Sequence, residues 1–197
     1  TLIGRSGSGK TTLLNLLSGL DSPTSGKVLF EDQNMAELNE GKLTELRRSK
    51  LGFVFQSFGL LPLLSAFENV ELPLRISGLG TRERAKQTRK ALDIVGLVGR
   101  SNHRPYELSG GEQQRVAIAR AIVHNPVLIL ADEPTGELDS VNSRAIFGLF
   151  KQMVEENNMA VVAATHDSNL LEMSDRVLRL SEGYIEQDAT YGQRFRD

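Results

Sequence analysis

A glycine-rich stretch near the start of the chain has the residue types and the spacing of a phosphate-binding loop. Residues 4–11 read Gly-Arg-Ser-Gly-Ser-Gly-Lys-Thr, which matches the pattern G-x-x-x-x-G-K-[ST]. Glycines let the backbone turn tightly and aim successive N–H groups at phosphate oxygens. Lys10 would reach the β- and γ-phosphates of a nucleotide, and the Thr11 hydroxyl would coordinate Mg²⁺. The structural alternative is a Gly/Ser-rich turn before an amphipathic helix.

A pair of adjacent carboxylates is the second chemical signal. Asp132 and Glu133 directly follow an apolar run at residues 127–131, which is typical of a central parallel strand buried on both faces. Ligands of α/β sheets bind at the carboxyl ends of such strands. One carboxylate would hold Mg²⁺ through water, and the other would polarise a nucleophilic water. The alternative is a strand-end pair that is simply solvated.

Residues 109–112 read Ser-Gly-Gly-Glu and allow two interpretations. They fit the capping box S-x-x-E, which stabilises the start of a helix without any function. Glycine, however, costs about 1 kcal/mol at each helical position, and a cap has no need of two. Removing both Cβ atoms would let another surface approach the backbone closely. A second phosphate-contacting helix N-terminus is therefore the functional interpretation.

Gln56 and His166 each follow a predicted strand. Gln56 could supply a neutral oxygen ligand to Mg²⁺ or to an attacking water, but alone it carries no weight. His166 could donate a hydrogen bond to a γ-phosphate oxygen, although a single histidine at such a place is more often structural. His103 and His124 have no comparable context, and we predict that both lie at the surface.

The elements that must position these residues alternate along the chain. We predict strands at residues 1–3, 27–30, 51–55, 127–131, 159–164 and 176–180, and helices at 10–18, 40–50, 66–76 (broken near Pro73), 81–95, 107–124 and 140–154. This alternation predicts an α/β fold with a parallel central sheet and right-handed crossovers. Residues 57–125 are almost free of strands. We therefore predict one domain, 1–197, with a core α/β lobe (1–56 and 126–197) and a mostly helical inserted subdomain (57–125).

Helical spacing also predicts which side chains face the core. Val141 falls on the predicted apolar face of helix 140–154. Helix 81–95 carries five basic residues that we assign to a solvated face: Arg82, Arg84, Lys86, Arg89 and Lys90. A patch for phosphate or lipid headgroups is the alternative for this basic face.

Composition limits the function classes. The chain has 197 residues, of which 40% are hydrophobic, enough for one substantial core. A formal net charge of −2 gives no bulk reason to expect nucleic-acid binding, and the absence of cysteine excludes disulfides and thiolate metal sites. The longest apolar stretch, residues 51–67, is interrupted by Gln56, Ser57 and Pro62, so it does not predict a membrane span. Any membrane role must come through a partner.

Taken in order along the chain, these features resemble the ATP-binding subunit of ABC transporters, a P-loop NTPase family. The resemblance extends over essentially the whole chain and includes Leu138-Asp139 after the carboxylate pair. It implies binding of ATP and Mg²⁺, with Thr11, Gln56 and Asp132 serving the metal. It implies that ATP is held by the residues of the loop and the start of its helix: Gly4, Arg5, Ser6, Gly7, Ser8, Gly9, Lys10, Thr11 and Thr12.

The same resemblance implies catalytic roles and a dimer. Glu133 would be the general base, His166 would contact the γ-phosphate, and Gln56 would complete the catalytic set. The segment 109–113 would complete the ATP site of a second subunit in an ATP-dependent, head-to-tail homodimer, through Ser109, Gly110, Gly111, Glu112 and Gln113. That role accounts for the two glycines better than capping does.

Within the family, the chain resembles the lipoprotein-releasing, macrolide-exporter and cell-division branch. The resemblance rests on residues 52–58, 68–70 and 131–136, and on Asn-His-Arg-Pro at 102–105. It implies an ATPase that drives an integral membrane permease from the cytoplasmic face of the bacterial inner membrane. Its substrate would be lipoproteins to be released or a hydrophobic compound to be exported. We expect the apolar loop 58–64 to contact the permease.

Two departures and three alternatives accompany this interpretation. The branch usually has Asn where this chain has Glu137, and family members carry an upstream β-segment whose aromatic residue stacks on adenine. The chain begins too late to contain that segment, so we expect a truncated N-terminus.

The alternatives are an ATPase that regulates a membrane partner without transport, a soluble ATPase of DNA repair or translation, and a small-molecule kinase. The kinase does not need Ser-Gly-Gly at 109–111.

Overall fold

The central element of the fold is a six-stranded sheet. A computed structural model describes residues 1–157 and 159–190 of the chain. The sheet contains β1 (Leu2–Ile3), β4 (Leu51–Val54), β5 (Leu128–Asp132), β6 (Ala160–Thr165), β7 (Arg176–Ser181) and β8 (Tyr184–Thr190). Their order is β4-β5-β6-β1-β7-β8. All neighbours pair in parallel except β7 and β8, which form an antiparallel hairpin. A separate antiparallel pair joins β2 (Leu29–Phe30) to β3 (Gln33–Asn34).

Six α-helices connect these strands. They are α1 (Lys10–Leu17), α2 (Glu40–Lys50), α3 (Ala66–Ile76), α4 (Thr81–Ile94), α5 (Gly110–Ile122) and α6 (Ser140–Asn157). Short 3₁₀ turns occupy Met35–Glu37, Val98–Arg100, Pro105–Glu107 and Ser168–Met173. No strand lies between β4 and β5, which are separated by α3, α4 and α5. The predicted parallel α/β sheet is confirmed, while the boundaries of the helical subdomain at 57 and 125 stay a prediction.

Helices cover both faces of the sheet. In β5, Ile129 and Ala131 point into the larger apolar cluster with α3, α4, α5 and α6, whereas Leu130 points into a smaller cluster with Leu14 of α1. Successive side chains of a strand face opposite sides, so a strand covered on both faces must be apolar throughout. This explains the unbroken apolar run before Asp132. No helix among the described residues is long and apolar enough to cross a membrane.

Several predicted details are wrong. Pro73 lies inside α3 without breaking it, because Val70 and Leu74 of the same helix are buried in the core and packing outweighs the local preference. Val141 is 76% exposed, because the first turn of α6 lies at the rim of the core. Arg84 is not solvated but pairs with the buried Glu71, Nε to Oε1, at 3.3 Å.

One glycine fixes how closely α5 approaches the sheet. A Cβ on Gly52 of β4 would lie 2.4 Å from the carbonyl oxygen of Ala121 in α5, and 3.3 Å from Cγ of Pro126. We expect Gly52→Ala to lower the free energy of unfolding by about 1–3 kcal/mol, because helix and strand must separate. Urea denaturation measures this loss. Gly99→Ala is the matched control, since a Cβ there meets nothing within 4 Å, and an equal loss in both variants would contradict the packing argument.

His124 is half-buried, which corrects the predicted surface position. Its Nε2 lies 2.9 Å from the Leu51 carbonyl oxygen, and its Nδ1 is buried without a partner among the described residues. Burial lowers the pKa of His124, and the hydrogen bond to Leu51 opposes this only in part. The folded chain therefore holds the imidazole neutral at a pH where the unfolded chain protonates it.

This histidine makes stability depend on pH. Below the unfolded pKa of about 6.5, the unfolded state binds a proton that the folded state does not, so stability falls as the pH falls. We expect a loss of at most about 1.4 kcal/mol per pH unit from this residue. Urea denaturation between about pH 5.5 and 7.5 should show a smaller slope for His124→Gln. His103→Gln is the control, and an unchanged slope in His124→Gln would contradict the assignment.

Candidate functional site

The loops that follow four parallel strands meet at one cleft. Because β1, β4, β5 and β6 run in the same direction, the residues after them lie at the same edge of the sheet. The cleft has a volume of about 620 Å³. Its lining contains most of the predicted site residues: Arg5, Ser6, Gly7, Gly9, Lys10, Thr11, Thr12, Gln56, Asp132, Glu133 and His166. Residues more than 160 positions apart in sequence are thus brought together around one space.

The phosphate-binding loop has the backbone that its glycines were expected to provide. Gly7 and Gly9 adopt positive φ values of 79° and 101°, which other residues rarely adopt. Gly4 does not line the cleft, and a Cβ there would lie 2.4 Å from the Leu180 carbonyl oxygen of β7. Gly9 is the N-cap of α1 and offers no side-chain acceptor to the first turn of that helix. The free N–H groups at this helix start suit an anion.

Lys10 is folded against the loop itself. Its Nζ donates hydrogen bonds to the carbonyl oxygens of Gly4 (2.8 Å) and Arg5 (3.2 Å). The same Nζ lies 3.5 Å from Oε1 of Glu133, and the lysine side chain is only 7% exposed. The ammonium group is therefore fixed at the base of the cleft, where it would meet the phosphates of a nucleotide.

Asp132 and Thr11 form the part of the cleft that suits Mg²⁺. The Thr11 hydroxyl donates to Oδ2 of Asp132 at 2.8 Å, while Oδ1 is buried without a partner among the described residues. Gln56 lines the same cleft. Carboxylate, hydroxyl and amide oxygens are the donors that Mg²⁺ takes, usually from one or two protein groups together with substrate phosphates. Among the described residues, no cluster of three or more His, Cys, Asp or Glu side chains could hold a metal ion.

Glu133 lines the cleft and has an uncommon backbone conformation. Its φ is +46°, in the left-handed region that a non-glycine residue rarely adopts. Its backbone N–H donates to the Ala164 carbonyl oxygen at 2.9 Å. Oε2 accepts hydrogen bonds from Nδ1 (2.9 Å) and the backbone N–H (3.3 Å) of His166, while Oε1 faces Lys10. The carboxylate is thus held between two positively charged or proton-donating groups.

Residues 109–113 are not among the described residues that line this cleft. The predicted capping box is confirmed: Ser109 Oγ accepts from the Glu112 N–H at 3.3 Å, and Glu112 Oε2 accepts from the Ser109 N–H at 2.9 Å. The hydrogen bond from the Ser109 backbone lowers the pKa of Glu112. Ser109 itself is exposed. The segment is therefore a capped helix start whose N-cap residue is exposed.

A Cβ would meet different surroundings at the two glycines of this segment. A Cβ on Gly111 would lie 2.5 Å from Oδ1 of Asn142 in the same chain, so the Asn142 side chain would have to shift. A Cβ on Gly110 would meet only ordinary contacts, at 3.6 Å from Leu138 and 3.8 Å from Phe58. The expectation that both glycines serve the approach of another surface stays a prediction.

Three polar residues near the site were not predicted from the sequence. Gln114 of α5 donates from Nε2 to the Pro134 carbonyl oxygen, directly after Glu133. Arg120 of α5 donates to the carbonyl oxygens in the loop that follows Gln56, and Asn142 packs on Gly111. Helical spacing could have identified Gln114, because this polar residue lies on the same face of α5 as the apolar Ala117 and Ile118.

The chain is similar to known proteins. Residues 1–136 match the family model described as ABC transporter. A lipoprotein-releasing system ATP-binding protein LolD of Hydrogenovibrio crunogenus is 49% identical over 184 residues, 93% of this chain and 80% of that protein. An uncharacterized ABC transporter ATP-binding protein of Thermotoga maritima is 47% identical over 185 residues, 94% of this chain and 79% of that protein.

A solved structure of similar sequence gives the same fold. The ATP-binding cassette MJ0796 of Methanocaldococcus jannaschii, in a dimeric post-hydrolysis state bound to ADP and Pi, has a TM-score of 0.86 and 44% identity to this chain. The alignment covers 96% of this chain and 83% of that one. The matched family model, the cleft and these relatives lead to one conclusion. The chain belongs to the ATP-binding, ATP-hydrolysing subunits of ABC transporters.

Proposed function

We propose that Glu133 is the general base that activates water for attack on the γ-phosphate of ATP. The observation that carries this proposal is the place of its carboxylate, between Lys10 Nζ at 3.5 Å and His166 Nδ1 at 2.9 Å in the nucleotide-sized cleft. A general base must lie at the reacting centre and be held in one orientation. Lys10 would bind the phosphates, so Glu133 would lie beside the bond to be broken.

The remaining residues of the cleft bind and orient. Backbone N–H groups of the loop 4–11 would surround the phosphate oxygens, and Lys10 would neutralise their charge. Thr11, Asp132 and Gln56 would hold Mg²⁺, which supplies charge neutralisation of the phosphates when bound. His166, whose Nδ1 faces Glu133, would contact the γ-phosphate through Nε2. The chemistry is in-line displacement, achieved by position and charge rather than by a covalent intermediate.

A second copy of the chain would complete the nucleotide site. Residues 109–113 form a helix start in which Ser109 is exposed and Gly110 is partly exposed, and they are not among the described residues that line the cleft of their own chain. A helix N-terminus suits a γ-phosphate presented from outside. The relative MJ0796 forms dimers in its solved structures, which supports this arrangement. We propose a head-to-tail, ATP-dependent homodimer that encloses two nucleotides.

The apolar loop 58–64 is the proposed contact with a membrane permease. Leu63 is 81% exposed and Leu61 is 45% exposed, but the loop is held firmly. Asn69, which is fully buried, binds the backbone of Leu61 and the carbonyl oxygens of Leu64 and Ser65. Arg120 binds the carbonyl oxygens at 58 and 59. Exposed apolar side chains on a fixed backbone are typical of a docking surface.

The similarity to LolD proteins supports lipoprotein release as the transported process, at the cytoplasmic face of the inner membrane through the permease. Affinity purification from detergent-solubilised membranes tests this proposal. We expect a permease that extracts lipoproteins to copurify, and a regulator of the cell wall in its place would contradict the transport role. Leu63→Ser should abolish copurification. Ile76→Ser is the control, because Ile76 is 61% exposed at the far end of α3, a helix about 16 Å long that begins after the loop.

A further inference from the structure

Gln114 is an unusual residue in the core. Its side chain is completely buried on α5, next to Val116 and Ala117, both of which are also completely buried. Nε2 donates a hydrogen bond to the carbonyl oxygen of Pro134, and Oε1 has no partner among the described residues. A carbonyl can only accept, so the amide must present its NH₂ group to Pro134. An apolar residue of the same size would avoid the unpaired buried oxygen.

The hydrogen bond ends on a strained turn. Glu133 has a φ of +46° and precedes a proline, a position that favours extended backbone. Such a conformation costs on the order of 1–3 kcal/mol and persists only where the surroundings hold it. The Ala164 carbonyl holds the turn from β6, and the Gly136 N–H closes it by donating to the Glu133 carbonyl at 3.0 Å. Gln114 is the contact from the helical side.

We propose that Gln114 is a positioning residue for Glu133, and that its hydrogen bond to Pro134 fixes the turn that aims the Glu133 carboxylate into the cleft. The proposal rests on the proposed role of Glu133 as general base. This role explains why an amide is buried at a position where core packing requires only an apolar side chain. It also places the support of the base on α5, the helix that begins at Gly110.

Gln114→Met is the direct test, because methionine keeps the length and volume of the side chain and removes the donor. We expect kcat for ATP hydrolysis to fall on the order of 10- to 100-fold, the usual effect of a small misplacement of a reacting group. The affinity for ATP should change by less than about twofold, since Gln114 does not line the cleft. A loss of affinity with unchanged kcat would contradict the proposal.

A double mutant separates this inference from the role of Glu133 itself. Because Gln114 acts through Glu133, Gln114→Met should lower kcat no further in a Glu133→Gln background. Equal losses in both backgrounds would overturn the positioning role and leave the general base intact. If Glu133→Gln alone hydrolyses ATP at the parental rate, the proposed base is wrong, whatever Gln114 does.

A structural readout keeps the test independent of activity. Hydrogen exchange of the amides at residues 133–138 should be faster in Gln114→Met, because the turn loses one of its supports. Thr88→Val is the matched control: Thr88 is also completely buried, and its Oγ1 likewise lacks a partner among the described residues, but it lies on α4. Thr88→Val should leave kcat and the exchange at 133–138 unchanged. Unchanged exchange in Gln114→Met would refute the proposal.

Discussion

Glu133→Gln is expected to retain ATP binding and to lower the turnover of ATP by about 10²–10⁴-fold, the usual contribution of a general base. The amide has the shape of the carboxylate but cannot take a proton from water. Binding should persist, because the loop 4–11 and Lys10 are unchanged. Lys10 also loses a negative neighbour at 3.5 Å, which leaves its charge more available to the phosphates.

Phosphate release measured under saturating ATP gives kcat, and titration with a fluorescent ATP analogue gives the affinity. Glu155→Gln is the control, since Glu155 is an exposed carboxylate on α6 outside the cleft. Turnover at the parental rate in Glu133→Gln would remove Glu133 from the role of base. A loss of ATP binding in the same variant would mean that the carboxylate serves the binding of nucleotide instead.

The second large effect is expected at Ser109. In a Glu133→Gln background, where bound ATP is not consumed, Ser109→Arg should abolish ATP-dependent dimerisation, because a long cation replaces a close contact at an exposed helix start. Light scattering with and without ATP measures the mass. Ser109→Ala is the matched control: it loses the same hydrogen bond to the Glu112 N–H, worth about 1 kcal/mol, without adding bulk. ATP-dependent dimers of Ser109→Arg would reject the composite site.

The glycines beside Ser109 offer a finer probe of the same surface. Gly110→Ala is accommodated within its own chain, where the nearest atoms lie at 3.6 and 3.8 Å, so any loss of dimerisation reports on the second copy. Gly111→Ala is not informative, because its Cβ would collide with Asn142 at 2.5 Å before any partner is involved.

The sequence predicted what depends on short-range patterns. The phosphate-binding loop, the apolar strand before Asp132 and the capping box at Ser109 were all recognised, because each is encoded within a few neighbouring residues. Strand alternation with helices was sufficient for the parallel sheet. From this the meeting of Gln56, Asp132 and His166 at one edge also follows, since parallel strands end on the same side.

What the sequence did not predict depends on residues far apart in the chain. Gly111 was grouped with Gly110, but only at Gly111 would a Cβ displace the side chain of Asn142, 31 positions later. Arg84 was predicted to lie on a solvated basic face, but it forms an ion pair with the buried Glu71 of α3. Gln114 was not singled out from the sequence. Only the fold, which brings the Pro134 carbonyl oxygen to α5, shows what its amide contacts. Helical spacing contains no information about such partners.

Helix α5 has a consequence for how two active sites would work together. In the proposed head-to-tail pair, the start of α5 would face the nucleotide held by the second chain. Gln114, about 6 Å further along the helix from Gly110, would support the base that acts on the chain's own nucleotide. One rigid element would then belong to both reactions. The state of one nucleotide, intact or cleaved, would alter the aim of the base at the other. The two hydrolysis events would therefore be cooperative rather than independent, with no contact between the nucleotides themselves.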